Sequence, residues 1–127
     1  MISFKSLTRQ TEIGANCYLL KIGNKRILID AGMHPKEEGK KSLPDFSSIY
    51  EHDLDAAILS HAHLDHSGSM PIVQRHYPEM PVMMTEATST LSQALLLAHC
   101  CNAAAQGMHP HGDCGCNCCG CSNGMVI

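Results

Sequence analysis

Four side chains of the kinds that bind metal ions fall within six residues of this sequence. His61, His63, Asp65 and His66 form the cluster, and the short apolar run of residues 56–60 leads directly into it. Imidazole nitrogens and carboxylate oxygens are the ligands that suit a catalytic zinc ion. α/β folds place their chemistry at the carboxyl ends of strands, so the order of run and cluster predicts a metal centre where a strand ends.

The spacing within the cluster favours two ions. Residues two apart in an extended segment project to the same side, so His61 and His63 can bind one ion together. Asp65 and His66 follow a bend and can face a second ion, and Gly68 lets the backbone turn away. Two ions ~3.5–4 Å apart activate water and hold the oxygens of a displacement reaction, so a nucleophilic side chain is not required. Surface histidines near a turn are the alternative, which a cluster this dense disfavours.

The surrounding sequence predicts alternating strands and helices, and therefore an α/β fold. We predict strands over residues 2–7, 17–22, 26–30, 56–60 and 81–85, and helices over residues 45–50, 69–76 and 88–99. Gly23 and Asn24 suit the turn of a hairpin between the second and third strands. The nearly continuous apolar run at 56–60 is typical of a strand buried on both faces.

Three finer features of the helices are also predicted. Asp45 is a candidate N-cap for the first helix. Pro71 falls in the first turn of the second helix, where proline is tolerated. Leu91, Leu95 and Ala98 share one face of the last helix and form its apolar stripe.

The composition changes near residue 99. Residues 1–99 have the pattern of an ordered segment, whereas residues 100–127 consist mainly of Cys, Gly, Ala, His and Asn. Seven of the 8 cysteines lie in the second part, and Cys17 is most simply a small buried apolar residue. A segment with so few large apolar side chains buries too little surface to offset the entropy of ordering it, so we expect an irregular, disordered tail.

Charge and hydropathy exclude some classes of protein. With a formal net charge of −3, the chain lacks the excess of basic residues that is typical of a stand-alone nucleic-acid binder. No stretch approaches the ~20 apolar residues that span a bilayer, and the first ten residues lack an apolar signal segment. We therefore predict a cytoplasmic protein that has no membrane partner.

The segment His61-Ala62-His63-Leu64-Asp65-His66 resembles the His-x-His-x-Asp-His signature of the metallo-β-lactamase superfamily. Flanking segments resemble its β-CASP branch of RNA-processing nucleases: residues 12–20, 27–32, 58–60, 67–71 and 84–88. The resemblance covers roughly residues 10–98. It implies a partial metallo-β-lactamase fold, the first half of an αββα sandwich, followed by the irregular Cys-rich tail.

The resemblance also implies roles for five residues. His61 and His63 would bind a first Zn²⁺, and Asp65 and His66 a second. Asp65 and His66 would be the catalytic pair, with Asp65 also acting on the proton of the water. Asp30 would support the histidine loop, which agrees with the cost of burying a carboxylate without hydrogen bonds. A plain turn residue at the end of a strand is the alternative for Asp30.

The family completes its site with two further histidines and a bridging aspartate from farther along the chain. His99, His109, His111 and Asp113 match no family motif and are not expected to replace them. The resemblance therefore predicts a half-built site in a truncated chain, with weakened zinc affinity and weak or absent hydrolysis. RNA is the expected partner of the complete enzyme, and a homodimer of that enzyme stays open.

Three functions remain open from the sequence. The first is metal-dependent hydrolysis of RNA by a β-CASP-type ribonuclease. The second is hydrolysis of a thioester or another small molecule on the same fold. The third is metal binding by the tail, because Cys-Gly-Cys-Asn-Cys-Cys-Gly-Cys at 114–121 resembles metallothionein-like segments, and soft thiolates bind zinc or copper(I). For the residues after about His99, the loss of the family resemblance together with the change of composition favours an interrupted coding sequence over a functional tail.

Overall fold

The sheet and helices are those of a mixed α/β protein, as predicted. The computed structural model of the chain describes residues 1–9 and 14–105. Five strands form one sheet in the order β1 to β5: Ile2–Ser6, Tyr18–Ile22, Lys25–Ile29, Ala56–Ile58 and Val82–Met83. The pairs β1–β2 and β2–β3 are antiparallel, whereas β3–β4 and β4–β5 are parallel. The hairpin at Gly23 is confirmed, and Gly23 has the positive φ of 59° that such turns need.

Among the described residues, helices lie in the connections between β3 and β4 and between β4 and β5, and one follows β5. They are α1 Ser47–Tyr50, α2 Leu64–Ser67, α3 Met70–His76 and α4 Glu86–Ala105, with a 3-10 turn at Gly39–Ser42. Pro71 stands in the first turn of α3, as predicted. None of the helices within residues 1–9 and 14–105 is both long and apolar enough to cross a membrane.

Two helix boundaries differ from the prediction. Phe46 occupies the N-cap position of α1, one residue after the predicted Asp45, and makes no side-chain capping bond. The Asp45 carboxylate instead accepts hydrogen bonds from the backbone N–H and the hydroxyl of Ser47, which forms a local turn ahead of the helix. At the other end of the chain, α4 continues past residue 99 to Ala105, through a stretch that contains three alanines. Alanine is the strongest helix former, which favours this extension.

One row of side chains across the sheet forms the centre of the core. Leu19, Leu28, Ala57 and Val82 are successive partners across β2 to β5, and none of them is more than 2% exposed. Ile49 of α1 and Met70 and Val73 of α3 belong to the same buried cluster. These two helices therefore pack on the face of the sheet that carries Leu28.

The opposite face of the sheet is apolar but only partly covered. Tyr18, Leu20, Ile29 and Ile58 lie on it and are half-buried, and Phe4 and Met83 are exposed. The prediction that residues 56–60 are buried on both faces is therefore wrong for β4. Ala57 is buried, whereas Ala56 and Ile58 are only half-buried, because α1 and α3 both pack on the face that carries Ala57.

The apolar stripe predicted for the last helix does not face the core. Leu91 is 58% exposed, Leu95 is 37% exposed and Ala98 is exposed. The buried face of α4 instead carries Thr88, Ser89, Ser92 and Leu96. Small hydroxyl side chains can be buried here because they are satisfied within the helix: the Ser92 hydroxyl donates to the Ser89 carbonyl at 3.2 Å.

The loops that follow β3 and β4 lie directly against each other. The backbone N–H groups of Ala31 and Met33 donate to the carbonyls of His66 and Leu64, both at 2.8 Å. Gly32, between them, sits under the Asp65 carbonyl, and a Cβ at this position would lie 1.7 Å from that oxygen. This close approach of two backbones requires glycine.

We expect Gly32→Ala to destabilise the folded chain by about 3 kcal/mol, because the methyl group forces the two loops apart. Gly23→Ala is the matched control: its Cβ would meet nothing within 4 Å, so only the positive φ is strained, at a cost of about 1 kcal/mol. Urea unfolding followed by circular dichroism measures both. A Gly32→Ala variant as stable as Gly23→Ala would contradict the close approach.

Cys17 lies fully buried in the core cluster, where it packs as a small apolar residue. Burial raises the pKa of its thiol far above the usual range, and the nearby Asp30 carboxylate raises it further. The thiol therefore stays protonated and unreactive across the physiological pH range.

We expect Cys17 to resist alkylation by iodoacetamide in mildly alkaline buffer until the chain is unfolded with urea. The nucleophile is the thiolate, which neither the pKa nor the burial of Cys17 allows in the folded state. Peptide mass spectrometry reads this residue separately from the other cysteines. Rapid labelling of Cys17 in the absence of urea would show that this part of the core opens.

Candidate metal centre

The candidate site is built on the ends of two parallel neighbours, β3 and β4. Ile29 is the register partner of Ile58, so both strands end at the same edge of the sheet. Asp30 follows β3 directly, and its backbone N–H donates to the Ile58 carbonyl at 2.9 Å. Residues 60–63 follow β4 and lead into α2. The predicted position of the histidine cluster, at the carboxyl end of a strand, is therefore observed.

His61, His63 and Asp65 come together at this edge. Each offers one ligand atom, and these atoms lie within 4.8 Å of one another. His61 and Asp65 are half-buried, and His63 is exposed. The segment between β4 and α2, which bends at residues 62 and 63, brings the two histidines together, and the short helical turn of α2 adds the carboxylate of Asp65 to the same group.

His66 adjoins this group from the inner side of the loop. Its ring centroid is 3.8 Å from that of His61, and its Nε2 is 3.5 Å from the Asp65 carboxylate. Its Nδ1 lies 2.7 Å from Oδ2 of Asp30. All four side chains that the sequence singled out as ligands therefore surround one region of the loop.

Asp30 holds this loop through both of its carboxylate oxygens. Its Oδ1 accepts the backbone N–H of Ser60 at 2.7 Å, and its Oδ2 accepts the Ser60 hydroxyl at 2.6 Å and the Nδ1–H of His66. The side chain is almost fully buried, and the three donors compensate the desolvation of its charge. Asp30 also has a φ of 59°, a left-handed conformation that aspartate tolerates better than most residues.

Two residues that contact the ligands were missed by reasoning from the sequence. Ser60 bonds to Asp30, and its hydroxyl lies 3.3 Å from Nδ1 of His61. Asn16, which precedes β2, places its side-chain amide 3.2 Å from Nε2 of His66. Its place as the one polar residue of the run 56–60, directly before the first histidine, was a usable signal for Ser60. Nothing local in the sequence connects Asn16 with a residue fifty positions away.

A cavity of about 640 Å³ opens beside the cluster, with His63 and Asp65 in its wall. The rest of its lining is mostly apolar and comes from the loop after β3, from α2 and from α4: Met33, His34, Pro35, Glu37, Leu64 and Leu95. Its volume is typical of a site for a small organic group. Leu95, on the exposed stripe of α4, thus faces a space next to the candidate ligands.

The donor set fits a divalent cation. Two imidazole nitrogens and a carboxylate oxygen form bonds of about 2.0–2.2 Å to zinc, and small side-chain rotations bring atoms that lie within 4.8 Å of one another to such distances. Among the residues whose side chains the structure describes, 1–9, 14–96 and 98, this is the one group of three such side chains. The side chain of His99 is not among those described, and His109, His111, Asp113 and the cysteines at 114–121 lie outside the described residues.

Comparison with known proteins places the chain in a family. A profile of the "Metallo-beta-lactamase superfamily" matches residues 11–96. The chain is similar to "Endoribonuclease YSH1" of Kluyveromyces lactis, with 35% identity over 96 residues that cover 75% of this chain and 13% of that protein. The protein of the same name from Saccharomyces cerevisiae is 36% identical over 94 residues, which cover 73% of this chain and 12% of that protein.

The chain thus spans about an eighth of the length of these curated relatives. Among solved structures, the "Crystal Structure of a New Diphosphatase from the PhnP Family" aligns with a TM-score of 0.45 and 18% identity, over 72% of this chain and 38% of that chain.

These findings confirm the family that the histidine signature predicted, and the names of the relatives agree with the predicted resemblance to RNA-processing nucleases. The matched residues 11–96 include the strands β2 to β5 and the whole of the candidate metal centre. The chain therefore belongs to the metallo-β-lactamase superfamily and carries part of its fold, with the site at the end of β4.

Proposed function

We propose that this chain supplies part of the active site of a divalent-metal-dependent hydrolase that cleaves RNA phosphodiester bonds. The observation that carries the proposal is the convergence of donor atoms from His61, His63 and Asp65 within 4.8 Å, on the loop after β4. Membership of the metallo-β-lactamase superfamily supports the hydrolase, and the endoribonuclease names of the relatives support RNA as its substrate.

The cofactor of this proposal is a pair of Zn²⁺ ions. His61 and His63 would hold the first ion, and Asp65 and His66 would hold the second. The Asp65 carboxylate lies 3.5 Å from Nε2 of His66, which supports their pairing, and it also belongs to the group with His61 and His63, which would keep the two ions close together. Imidazole and carboxylate ligands suit zinc in sites that keep a position open for water.

When bound, divalent cations lower the pKa of water and offset the charge that develops on phosphoryl oxygens. The residues of the chain orient the reaction. The Asp65 carboxylate accepts the proton of the attacking water. Asp30 fixes the ring of His66 through Nδ1, so that Nε2 faces the Asp65 carboxylate. In this scheme Asp65 and His66 are the catalytic residues, and Asp30 acts through His66.

The cavity beside His63 supports a substrate with a flat, largely apolar group next to the reacting bond. Leu64 and Leu95 offer apolar surface there, and His34 and Glu37 offer polar atoms at its margin. Nε2 of His34 is buried and has no hydrogen-bond partner among the described residues. A nucleobase next to the scissile phosphate combines an apolar ring face with polar edges, which matches this lining.

No observation favours hydrolysis of a thioester over hydrolysis of RNA. The tail function, the division into residues 1–99 and 100–127, the cytoplasmic location and the homodimer stay predictions. Weak activity of this chain alone also stays a prediction, supported by the small ligand set that the described residues bring together.

We expect His61→Ala combined with His63→Ala to abolish binding of Mn²⁺, followed by electron paramagnetic resonance. Mn²⁺ is chosen because thiolates are poor ligands for it, so the cysteines of the tail do not obscure the result. His52→Ala combined with His76→Ala removes two histidines outside the cluster and should leave binding unchanged. Mn²⁺ binding that survives loss of His61 and His63 would remove the basis of the proposed site.

Titration of the same two double variants with Zn²⁺ distinguishes binding by the histidine cluster from binding by the Cys-rich tail. Zinc that is retained by the His61→Ala and His63→Ala variant but lost on deletion of residues 106–127 would favour the metal-binding tail.

We expect the wild-type chain with Mn²⁺ to bind single-stranded RNA weakly and to cleave it slowly at most. Leu95→Asp should lower the RNA affinity about fivefold or more, because it places a carboxylate in the apolar wall of the cavity. Leu91→Asp makes the same change of charge on the same helix outside the cavity lining and should have little effect. Fluorescence anisotropy with a labelled oligonucleotide measures the affinity.

A chelator and His63→Ala should remove whatever cleavage is seen. Equal losses of RNA affinity in the Leu91→Asp and Leu95→Asp variants would contradict the role of the cavity. Faster hydrolysis of a thioester than of RNA by the same preparation would favour the second candidate function.

A further inference from the structure

The carboxylate of Glu37 lines the cavity beside the histidine cluster, and the proposed function assigns it no contact of its own. Glu37 is half-buried, whereas its neighbour Glu38 is exposed and does not line the cavity. Among the residues whose side chains the structure describes, none forms a hydrogen bond or an ion pair with the Glu37 carboxylate. A partly desolvated carboxylate without a partner gains from N–H donors on a ligand that fills the cavity.

The backbone that carries Glu37 is held in place by hydrogen bonds. Pro35 and Lys36 are the central residues of a turn, and the fixed φ of proline suits the first of these positions. The backbone N–H of His34 donates to the Ser42 carbonyl at 2.7 Å, and Nδ1 of the buried His34 ring accepts the N–H of Lys36 at 3.1 Å. These bonds on the turn limit the positions that the Glu37 carboxylate can take in the cavity.

The lining of the cavity matches the shape and the chemistry of a nucleobase. Apolar side chains, of Met33, Pro35, Leu64 and Leu95, offer surface to the face of a planar ring. The Glu37 carboxylate has only acceptor oxygens, so it selects a base by the donors on the edge of that ring. Two neighbouring N–H groups on one edge can bond to both oxygens at once, which is the strongest arrangement for a carboxylate.

Guanine is the base of RNA that carries such a pair. Its N1–H and its N2 amino group lie side by side on the Watson–Crick edge, which a single strand leaves accessible. Adenine and cytosine have an acceptor ring nitrogen beside the amino group, and uracil has a carbonyl on each side of its one N–H. Each of these three bases would therefore set a lone pair against one oxygen of the carboxylate, at the cost of an unpaired polar group.

We propose that Glu37 is a specificity-determining residue, which binds N1–H and the N2 amino group of a guanine base held in the cavity next to the metal centre. The inference rests on the proposed function for placing that guanine in an RNA strand, beside the bond that is cleaved. The preference for guanine is a property of the cavity and can be measured without cleavage.

The test measures binding of labelled octauridylates by the full chain, followed by fluorescence anisotropy. One central uracil is replaced by guanine, adenine, cytosine or hypoxanthine, which is guanine without its N2 amino group. Chemical-shift titrations with guanosine and inosine make the same comparison on free nucleosides. The variants are Glu37→Gln and, as the matched control, Glu38→Gln, which makes the same change of charge at an exposed position outside the cavity. Thermal unfolding checks that both variants fold.

We expect the wild-type chain to bind the guanine oligonucleotide about tenfold more tightly than the hypoxanthine one and the other three. Glu37→Gln should lose this preference and favour adenine, because an amide offers one donor and one acceptor, which adenine can pair. Loss of a negative charge alone would strengthen binding of every oligonucleotide, so weaker binding of guanine by Glu37→Gln is diagnostic. Glu38→Gln should keep the wild-type preference.

The lack of a preference of the wild-type chain for guanosine over inosine would overturn the inference, as would an unchanged preference in Glu37→Gln. A loss of Mn²⁺ affinity in Glu37→Gln but not in Glu38→Gln would also overturn it, because the carboxylate would then serve the cation. Failure of the proposed function gives a different result. In that case Mn²⁺ binding survives the combined His61→Ala and His63→Ala substitutions, while the chain still prefers guanosine.

Discussion

The buried carboxylate of Asp30 is the interaction on which the rest of the site depends. It links the end of β3 to the loop after β4 through Ser60 and His66, and its burial is tolerable because each oxygen accepts hydrogen bonds. The left-handed backbone at Asp30 turns the chain so that Gly32 can pass beneath the Asp65 carbonyl. These contacts hold the histidine loop in a fixed position relative to the parallel strands β3 and β4.

The backbone and the side chain of Asp65 have different roles in the site. Its carbonyl is bound by the backbone and the side chain of Asn16, whereas its carboxylate turns toward the imidazoles. Hydrogen bonds to Asn16 therefore hold the backbone of the loop, while the ligand atoms stay accessible next to the cavity. Such preorganisation of supporting contacts is what lets a site bind cations without reordering its chain.

Features that depend on local sequence could be predicted, and features that depend on which loops meet could not. The hairpin at Gly23, the helix α3 with Pro71 and the grouping of His61 with His63 follow from nearby residues. The contacts of Asn16 join residues 49 and 50 positions apart, which no periodicity reveals. The buried face of α4 was mispredicted because its serines and threonine satisfy their hydroxyls within or just ahead of the helix, so polarity did not mark solvent exposure.

The sheet also has a consequence for how such a chain behaves at high concentration. β1 lies at the edge of the sheet, its side chains are exposed, and Lys5 is its one charged residue. Unpaired backbone groups along an edge can recruit a strand from another molecule, and a lone lysine is a weak gatekeeper against this. Phe4 and Ile2 add an apolar surface that is continuous with the partly covered face of the sheet. Pairing through the edge of β1 is therefore the way in which we expect copies of this chain to associate at high concentration.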